Sequence, residues 1–272
     1  MLYRTSASPG FVMPRLLSLF TALLLLAAPA LAAPVPLLVC AADAQLPPFT
    51  YSQHNRTIGM AVDLLARLLK EAGLPAAQVE MLPWRRCLAL VQSGRYALAL
   101  NAATAQVDPA PFLVTEPYVQ LNSVYLYSSR YFSSGLSIKQ LDDLHRYRVC
   151  GLMGHTFESY GLDNAKVDVG AANYPQLIAK LHAGHCDLFL DKREVIAALH
   201  LVDTRLKDML TDGSLQIRPV PEEAPVGLHF LVSRRIKQAV PLRNALDAGI
   251  QRLIRNKAMQ GLQAPYQGAV KH

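Results

Sequence analysis

Between Leu37 and Gly94 the chain reads Leu37-Leu-Val-Cys-Ala41, then Asp43-Ala-Gln-Leu-Pro-Pro-Phe-Thr-Tyr51, then Gly59-Met-Ala-Val-Asp-Leu-Leu65, and last Pro83-Trp84-Arg85-Arg86. These four pieces decide the fold. The first is a short apolar run suited to a strand. The second is a loop in which Pro47 and Pro48 fix φ and remove two backbone donors, so it resists being drawn into a sheet. The third opens a helix, with Leu64, Leu65, Leu68, Leu69 and Ala72 at helical spacing until Gly73 and Pro75 stop it. A strand from Val79 to Leu82 follows, and the fourth piece heads a second helix, Trp84–Ser93. A strand that delivers a rigid loop to a helix start makes a ledge on which a ligand can rest.

The same alternation continues to the end of the chain. Tyr96–Leu100 is a continuous apolar strand of the kind buried on both faces of a parallel sheet. After an irregular stretch around Pro109 and Pro111, Ser123–Tyr127 reads as extended. A second α/β set follows: strand Tyr147–Gly151, a helix from Thr156, strand Val167–Gly170, helix Tyr174–His182, strand Asp187–Leu190 and helix Glu194–Leu201. Leu215–Arg218 and Val226–Val232 are extended, and helices Val240–Arg255 and Lys257–Leu262 close the chain. This pattern predicts an α/β protein.

Met1–Ala32 has two arginines, no acid, an apolar run from Leu16 to Ala28 and the ending Ala30-Leu31-Ala32. It reads as a cleavable signal peptide, starting at Met1 or Met13, and predicts a periplasmic mature chain from residue 33. The chain has 272 residues, is 51% hydrophobic and 17% charged, and carries a formal net charge of +7. Its basic residues are scattered and form no dense run, which argues against nucleic-acid binding. Gly-x-Ser-x-Gly, dinucleotide and phosphate-loop fingerprints are absent. His182, His185 and Cys186 are interrupted by Gly184 and lack an evident fourth ligand, so neither metal nor cofactor is expected.

The Leu37–Gly94 block resembles the amino-terminal half of the family 3 periplasmic solute-binding proteins, the polar amino acid type that serves ABC importers. The likeness extends more weakly over nearly all of the mature chain, as for a divergent member. It implies a two-lobed, periplasmic-binding-protein-like (type II) α/β fold with a hinge of two extended crossings. Lobe 1 would comprise residues 33–125 plus 230–272, and lobe 2 residues 126–229, with Tyr125 and Phe230 near the hinge. With these lobes, Cys40 and Cys87 share one and Cys150 and Cys186 the other. Disulfides persist in exported proteins, so the pairs Cys40–Cys87 and Cys150–Cys186 are expected, with reactive or metal-binding thiols as the alternative.

The resemblance also implies a ligand site between the lobes. Such a site needs charged partners, because an unpaired buried charge is costly. Asp43 and Phe49 match the family's first loop, with Leu46 where a tyrosine is usual. Trp84, the sole tryptophan, falls where an aromatic covers the ligand; its alternative is a half-buried helix-start residue. In Asn101-Ala-Ala-Thr-Ala-Gln-Val-Asp108, Asn101 is a candidate and Thr104 fits the family's segment, but Val107 replaces the arginine that meets a ligand carboxylate. Lys and Arg are absent from Tyr96 to Ser128. Arg85 and Arg86 are the substitutes, or else solvated charges at a helix start. In Gly151-Leu-Met-Gly154-His155-Thr156, Thr156 offers a hydroxyl beside backbone N–H groups, or simply caps a helix. Asp191 softly matches the aspartate that meets a ligand ammonium.

The expected function is capture of a small polar ligand, an amino acid or a related molecule, for an ABC permease of the inner membrane. The protein is expected to be a monomer without enzymatic activity. Two rivals are an enzyme on the same scaffold, resembling cyclohexadienyl dehydratase with Glu116 or Glu158 as acid or base, and a ligand-sensing partner of a membrane sensor kinase.

Overall fold

The computed structural model describes residues 35–104 and 107–266, together with Met1, Ser6 and Gly10. The signal peptide expected over residues 1–32 therefore lies, apart from three isolated residues, outside the described residues. No described helix is long and apolar enough to cross a membrane.

Two sheets organise residues 36–266. The first contains β1 (Leu37–Ala42), β4 (Ala77–Leu82), β5 (Leu98–Ala103), β6 (Phe112–Val114), β7 (Val119–Leu121) and β13 (Val226–Ser233). Its order is β4-β1-β5-β13-β6, with β7 also on β13. β1 runs parallel to β4 and β5, while β13 is antiparallel to its neighbours. The second sheet has the order β10-β9-β11-β8-β12. Its strands are β8 (Ser123–Ser128), β9 (Val149–Leu152), β10 (Asp168–Ala171), β11 (Leu188–Lys192) and β12 (Leu215–Pro219). β9 is parallel to β10 and β11, and β8 is antiparallel to β11 and β12. The chain passes between sheets twice, at Asn122 and over residues 220–225. β8, which contains Tyr125, pairs only within the second sheet, and β13, which contains Phe230, only within the first.

Apolar spacing explains the helices. α1 (Met60–Glu71) buries Met60, Ala61, Leu64, Leu65, Leu68 and Leu69 along one side, the stripe that a 3.6-residue period produces. Its start depends on glycine. Gly59 has φ +132°, and a Cβ there would lie 2.3 Å from the Phe49 carbonyl oxygen. The close approach lets Met60 and Ala61 donate to the carbonyls of Pro48 and Phe49 at 2.8 and 3.0 Å, so the proline loop satisfies donors that a helix start leaves free. In α3 (Tyr174–His182), Asn173 accepts from Gln176 N at 3.0 Å, a side-chain cap. α2 (Trp84–Gln92), α4 (Arg193–Ala198), α5 (Arg205–Thr211), α6 (Ala239–Arg255) and α7 (Ala258–Gln263) complete the set.

One expectation fails locally, and two elements add to those read from sequence. Past the proline loop, β2 (Tyr51–Gln53) and β3 (Arg56–Ile58) form a separate hairpin turned by the left-handed residues His54 and Asn55. No α-helix begins at Thr156. Phe157 is buried against Gly151, where a Cβ would meet its ring at 2.3 Å, and Phe157 N donates to Asn164 Oδ1 at 2.7 Å. Those anchors leave only the 3₁₀ turns Glu158–Tyr160 and Asn164–Lys166. α5 was not anticipated, because its buried residues are just Leu206 and Leu210, too few to display a period.

Both disulfides form within a sheet's own surroundings. Cys40–Cys87 links β1 to α2 with Cα atoms 5.7 Å apart, and Cys150–Cys186 links β9 to the turn before β11 at 5.8 Å. These spacings suit the bond without moving the backbone.

Candidate functional site

In open α/β sheets, ligands meet the loops at the carboxyl ends of parallel strands, where side chains and helix starts converge beyond the hydrogen-bonded ladder. Both sheets have such an edge. In the first, β1 leads to Asp43, β4 leads through Pro83 to Trp84, and β5 ends on Asn101–Ala103 with Thr104 beyond. In the second, β9 leads to Met153–Thr156, β10 leads to Asn173 and Tyr174, and β11 ends on Asp191 and Lys192. Most of the residues singled out from sequence fall on these edges.

Their side chains are not equivalent. Phe49 is only 1% exposed and belongs to the main core. It holds α1 in place and presents no ring to a ligand, which corrects the expectation for that residue. Asn101 has φ +58°. Its Nδ2 donates to Thr50 Oγ1 at 2.8 Å and its Oδ1 accepts from Tyr118 Oη at 2.6 Å. Its own N–H donates to the same phenol oxygen at 3.0 Å. The amide thus ties β5 to the first loop and to the approach to β7, and burial pushes the Tyr118 phenol well above its ordinary pKa. Little of Asn101 remains for a ligand.

Trp84 is half-buried and packs beside the cluster of Cys40, Cys87, Val91, Phe112 and Leu231. Arg85 and Arg86 are exposed and make no ion pair among the described residues. Arg86 lies close enough to Tyr96 to lower its pKa, against the larger raising effect of the Tyr96–Glu80 hydrogen bond. Thr104 and Thr156 are exposed.

Asp191 is the best-built acidic group. Tyr174 Oη donates to its Oδ2 at 2.8 Å, and Lys192 N donates to its Oδ1 at 2.6 Å. Burial pushes its carboxyl above the usual range, opposed by Lys192 N–H, the nearby His155 and the Tyr174 hydroxyl. Burial, then the Asp191 charge, pushes the Tyr174 phenol well up as well. The loops after β9, β10 and β11 therefore meet at one carboxylate. Tyr174 and His155 were missed from sequence; Tyr174, set between the Asn173 cap and Pro175 just past a strand, was the available signal.

Lys192 turns to the other face. Its ammonium donates to Ser123 Oγ, lies 3.4 Å from Glu223 Oε1 and sits 5.2 Å from the Tyr160 ring centroid. Ser123 follows the first crossing, and Glu223 belongs to the second.

A cavity of about 690 Å³ lies between the β2–β3 hairpin and edge strand β4, lined by Asp43, Gln45, Arg56, Thr57 and Glu80 among others. Of the candidate residues it takes in Asp43 alone. Of the two acids considered for an enzyme, Glu158 is exposed and accepts from Asn164 Nδ2, and Glu116 is exposed beside Asp247, to which its N–H donates. Among the described residues no group of three or more His, Cys, Asp or Glu side chains could hold a metal ion.

The sequence profile of the bacterial extracellular solute-binding proteins, family 3, matches residues 38–269. The chain belongs to that family. No curated protein matches it in sequence. Solved structures match it over most of their length at low identity. An amino acid ABC transporter substrate-binding protein, AbpA from Streptococcus pneumoniae, bound to L-arginine, is 18% identical with a TM-score of 0.61, covering 85% of this chain and 94% of that one. The arginine-, lysine-, histidine-binding protein ArtJ from Geobacillus stearothermophilus is 17% identical with a TM-score of 0.60, covering 85% and 95%. A histidine kinase sensor domain with similarity to periplasmic binding proteins is 14% identical with a TM-score of 0.61, again covering 85% and 95%. The shared fold is the two-lobed α/β architecture of periplasmic binding proteins.

Proposed function

We propose that this protein captures a small polar ligand between its two lobes, in the periplasm, and delivers it to an ABC permease. The reading is supported by where the candidate residues fall, at the carboxyl ends of parallel strands in both sheets: Asp43, Trp84 and Thr104 follow strands of one, Thr156 follows a strand of the other, and Asp191 stands at the end of β11. A ligand that touches both edges binds the shut arrangement better than the open one and so shifts the population toward it. The lobes meet at Asn122 and at residues 220–225, and Asp191 receives an ammonium or hydroxyl donor of the ligand while Trp84 covers it. Chemistry on the ligand is not part of this reading.

The sensor-domain likeness supports a second reading, in which the shut form signals to a membrane kinase in trans. Both readings share the same first test. Amino acids, small carboxylates, amines and sugars are screened by thermal shift, and each hit is followed by small-angle scattering. A ligand at about 100 times its Kd adds roughly 2.7 kcal/mol of stability. Stabilisation with contraction supports capture. A compound that is consumed, or a hit without contraction, removes it.

A further inference from the structure

We propose a binding site separate from the gap between the lobes, one that takes a carboxylate attached to an apolar body. A cavity of about 400 Å³ lies against β6, the edge strand of the first sheet opposite β4. Its volume falls within the range of about 300–1,000 Å³ usual for small-molecule sites. Arg234 and Arg243 line it together with the apolar residues Pro109, Phe112, Leu113 and Val114. The place is remote from the residues of the proposed solute site. Phe112 faces Ser233 across the β6–β13 ladder, and Val232 faces Leu98 at the start of β5. The cavity therefore sits toward the amino end of β5, whereas Asp43, Trp84 and Thr104 follow the carboxyl ends of β1, β4 and β5.

Both arginines are anchored and keep donors in reserve. Arg243 projects from α6, and its Nη1 donates to Asp247 Oδ2 at 2.9 Å. Asp247 also accepts from Glu116 N at 2.7 Å, so that carboxylate is already engaged. Arg243 Nε is buried with no partner, an exception among buried polar groups. Its Nη2 has no partner among the described residues, although the side chain as a whole is 36% exposed. The Nε and Nη2 side of a guanidinium presents two parallel N–H groups, the fork that fits both oxygens of a carboxylate. Arg234 donates from Nε to Ala110 O at 3.1 Å, which fixes the loop forming one wall and leaves both Nη groups unpaired among the described residues. Asp108, the acid of that loop, accepts from Ala110 N at 2.9 Å and does not line the cavity. Two cations without an acid in the lining select an anion over a cation or neutral molecule of the same shape. The apolar wall of Pro109, Phe112, Leu113 and Val114 then selects an organic anion over an inorganic one.

Calorimetry on the purified protein tests this with benzoate and hexanoate against benzyl alcohol, hexanol, benzylamine and inorganic phosphate. The carboxylates are expected to bind about tenfold tighter or more than any of the other four. Arg234→Gln and Arg243→Gln are each expected to weaken the carboxylates about tenfold. Arg234 is exposed, so its variant keeps the test readable if the half-buried Arg243 proves necessary for folding. Asp191→Asn and Trp84→Ala should leave carboxylate binding unchanged. Failure of both carboxylates to bind overturns the inference, as does equal binding of an alcohol, the amine or phosphate. Unchanged affinity in Arg234→Gln, or a loss in Asp191→Asn or Trp84→Ala, overturns it too. Each of these results leaves solute capture between the lobes to its own test.

Discussion

Lys192 and Glu223 form an ion pair, Nζ to Oε1 at 3.4 Å, that joins the end of β11 to the second crossing between the sheets. The first crossing is held at the same place. Asn122 donates from its N–H and Nδ2 to Glu194 at 2.9 and 2.7 Å, and its carbonyl accepts from Arg193 N at 2.8 Å. Val220 N donates to Ser123 O at 3.0 Å. Both crossings thus share one polar knot, one residue along the strand from Asp191.

Removing one partner of that pair leaves the other charge stranded in a half-buried site. Lys192→Met and Glu223→Gln are each expected to destabilise by about 1–3 kcal/mol. The double variant should be closer to wild type than the sum of the two. Urea denaturation measures this, and strict additivity would show that the pair is not coupled.

Gly59→Ala should be the most damaging single methyl in the first lobe. The new Cβ meets the Phe49 carbonyl at 2.3 Å in a backbone conformation of φ +132°. A loss of at least about 2 kcal/mol is expected from strain at such a site. Thermal unfolding reads it, and a melting temperature equal to wild type would mean that the loop yields freely.

The two disulfides close loops of sequence separation 47 and 36. Replacing either pair by serine should cost about 2–4 kcal/mol, mainly through a less restrained unfolded chain. Mapping under non-reducing conditions should recover Cys40 with Cys87 and Cys150 with Cys186; any cross-lobe peptide contradicts the pairing.

His182 links three segments. Its Nδ1 pairs with Ser128 Oγ at 2.9 Å and its Nε2 with Ser214 Oγ at 3.2 Å, while Ser214 Oγ donates to Asp212 at 2.6 Å. Burial, then the Arg130 charge, lowers the His182 pKa from its ordinary 6.5, against a smaller raising effect of Asp212. With the folded value below the unfolded one, the unfolded chain binds more protons between them. This contribution is present above about pH 6.5 and is lost as the pH falls through that value toward the folded pKa. His182→Gln should flatten the slope of stability in that window. An unchanged slope places the pH sensitivity elsewhere.

Trp84→Ala is expected to weaken whichever ligand the screen identifies by about tenfold, through loss of the covering ring. Calorimetry decides it, and equal affinity assigns Trp84 to packing beside Cys87 and Phe112.

How far the sequence carried each part depends on the range of the forces involved. The alternating strands and helices were legible because α1, α3 and the parallel strands each bury a regular stripe, a property of neighbours along the chain. The hairpin at Tyr51–Ile58, the missing helix at Thr156 and the short α5 were not legible. Each is settled by an anchor distant in sequence or by too small a buried face, as with Phe157 seated against Gly151. The same division runs through the site. Asp43, Trp84 and Asp191 could be marked by their places after strands, but Phe49 and Asn101 carry the same marks and are spent on the core and on Tyr118.

The order of residues by itself determined the class of fold, the family and the absence of a guanidinium at Val107, since these follow from local pattern and composition. Only the folded chain decided which polar groups are already satisfied and which remain open, because hydrogen-bond partners such as Tyr174 with Asp191, or Lys192 with Glu223, come from segments that meet only when the sheets assemble.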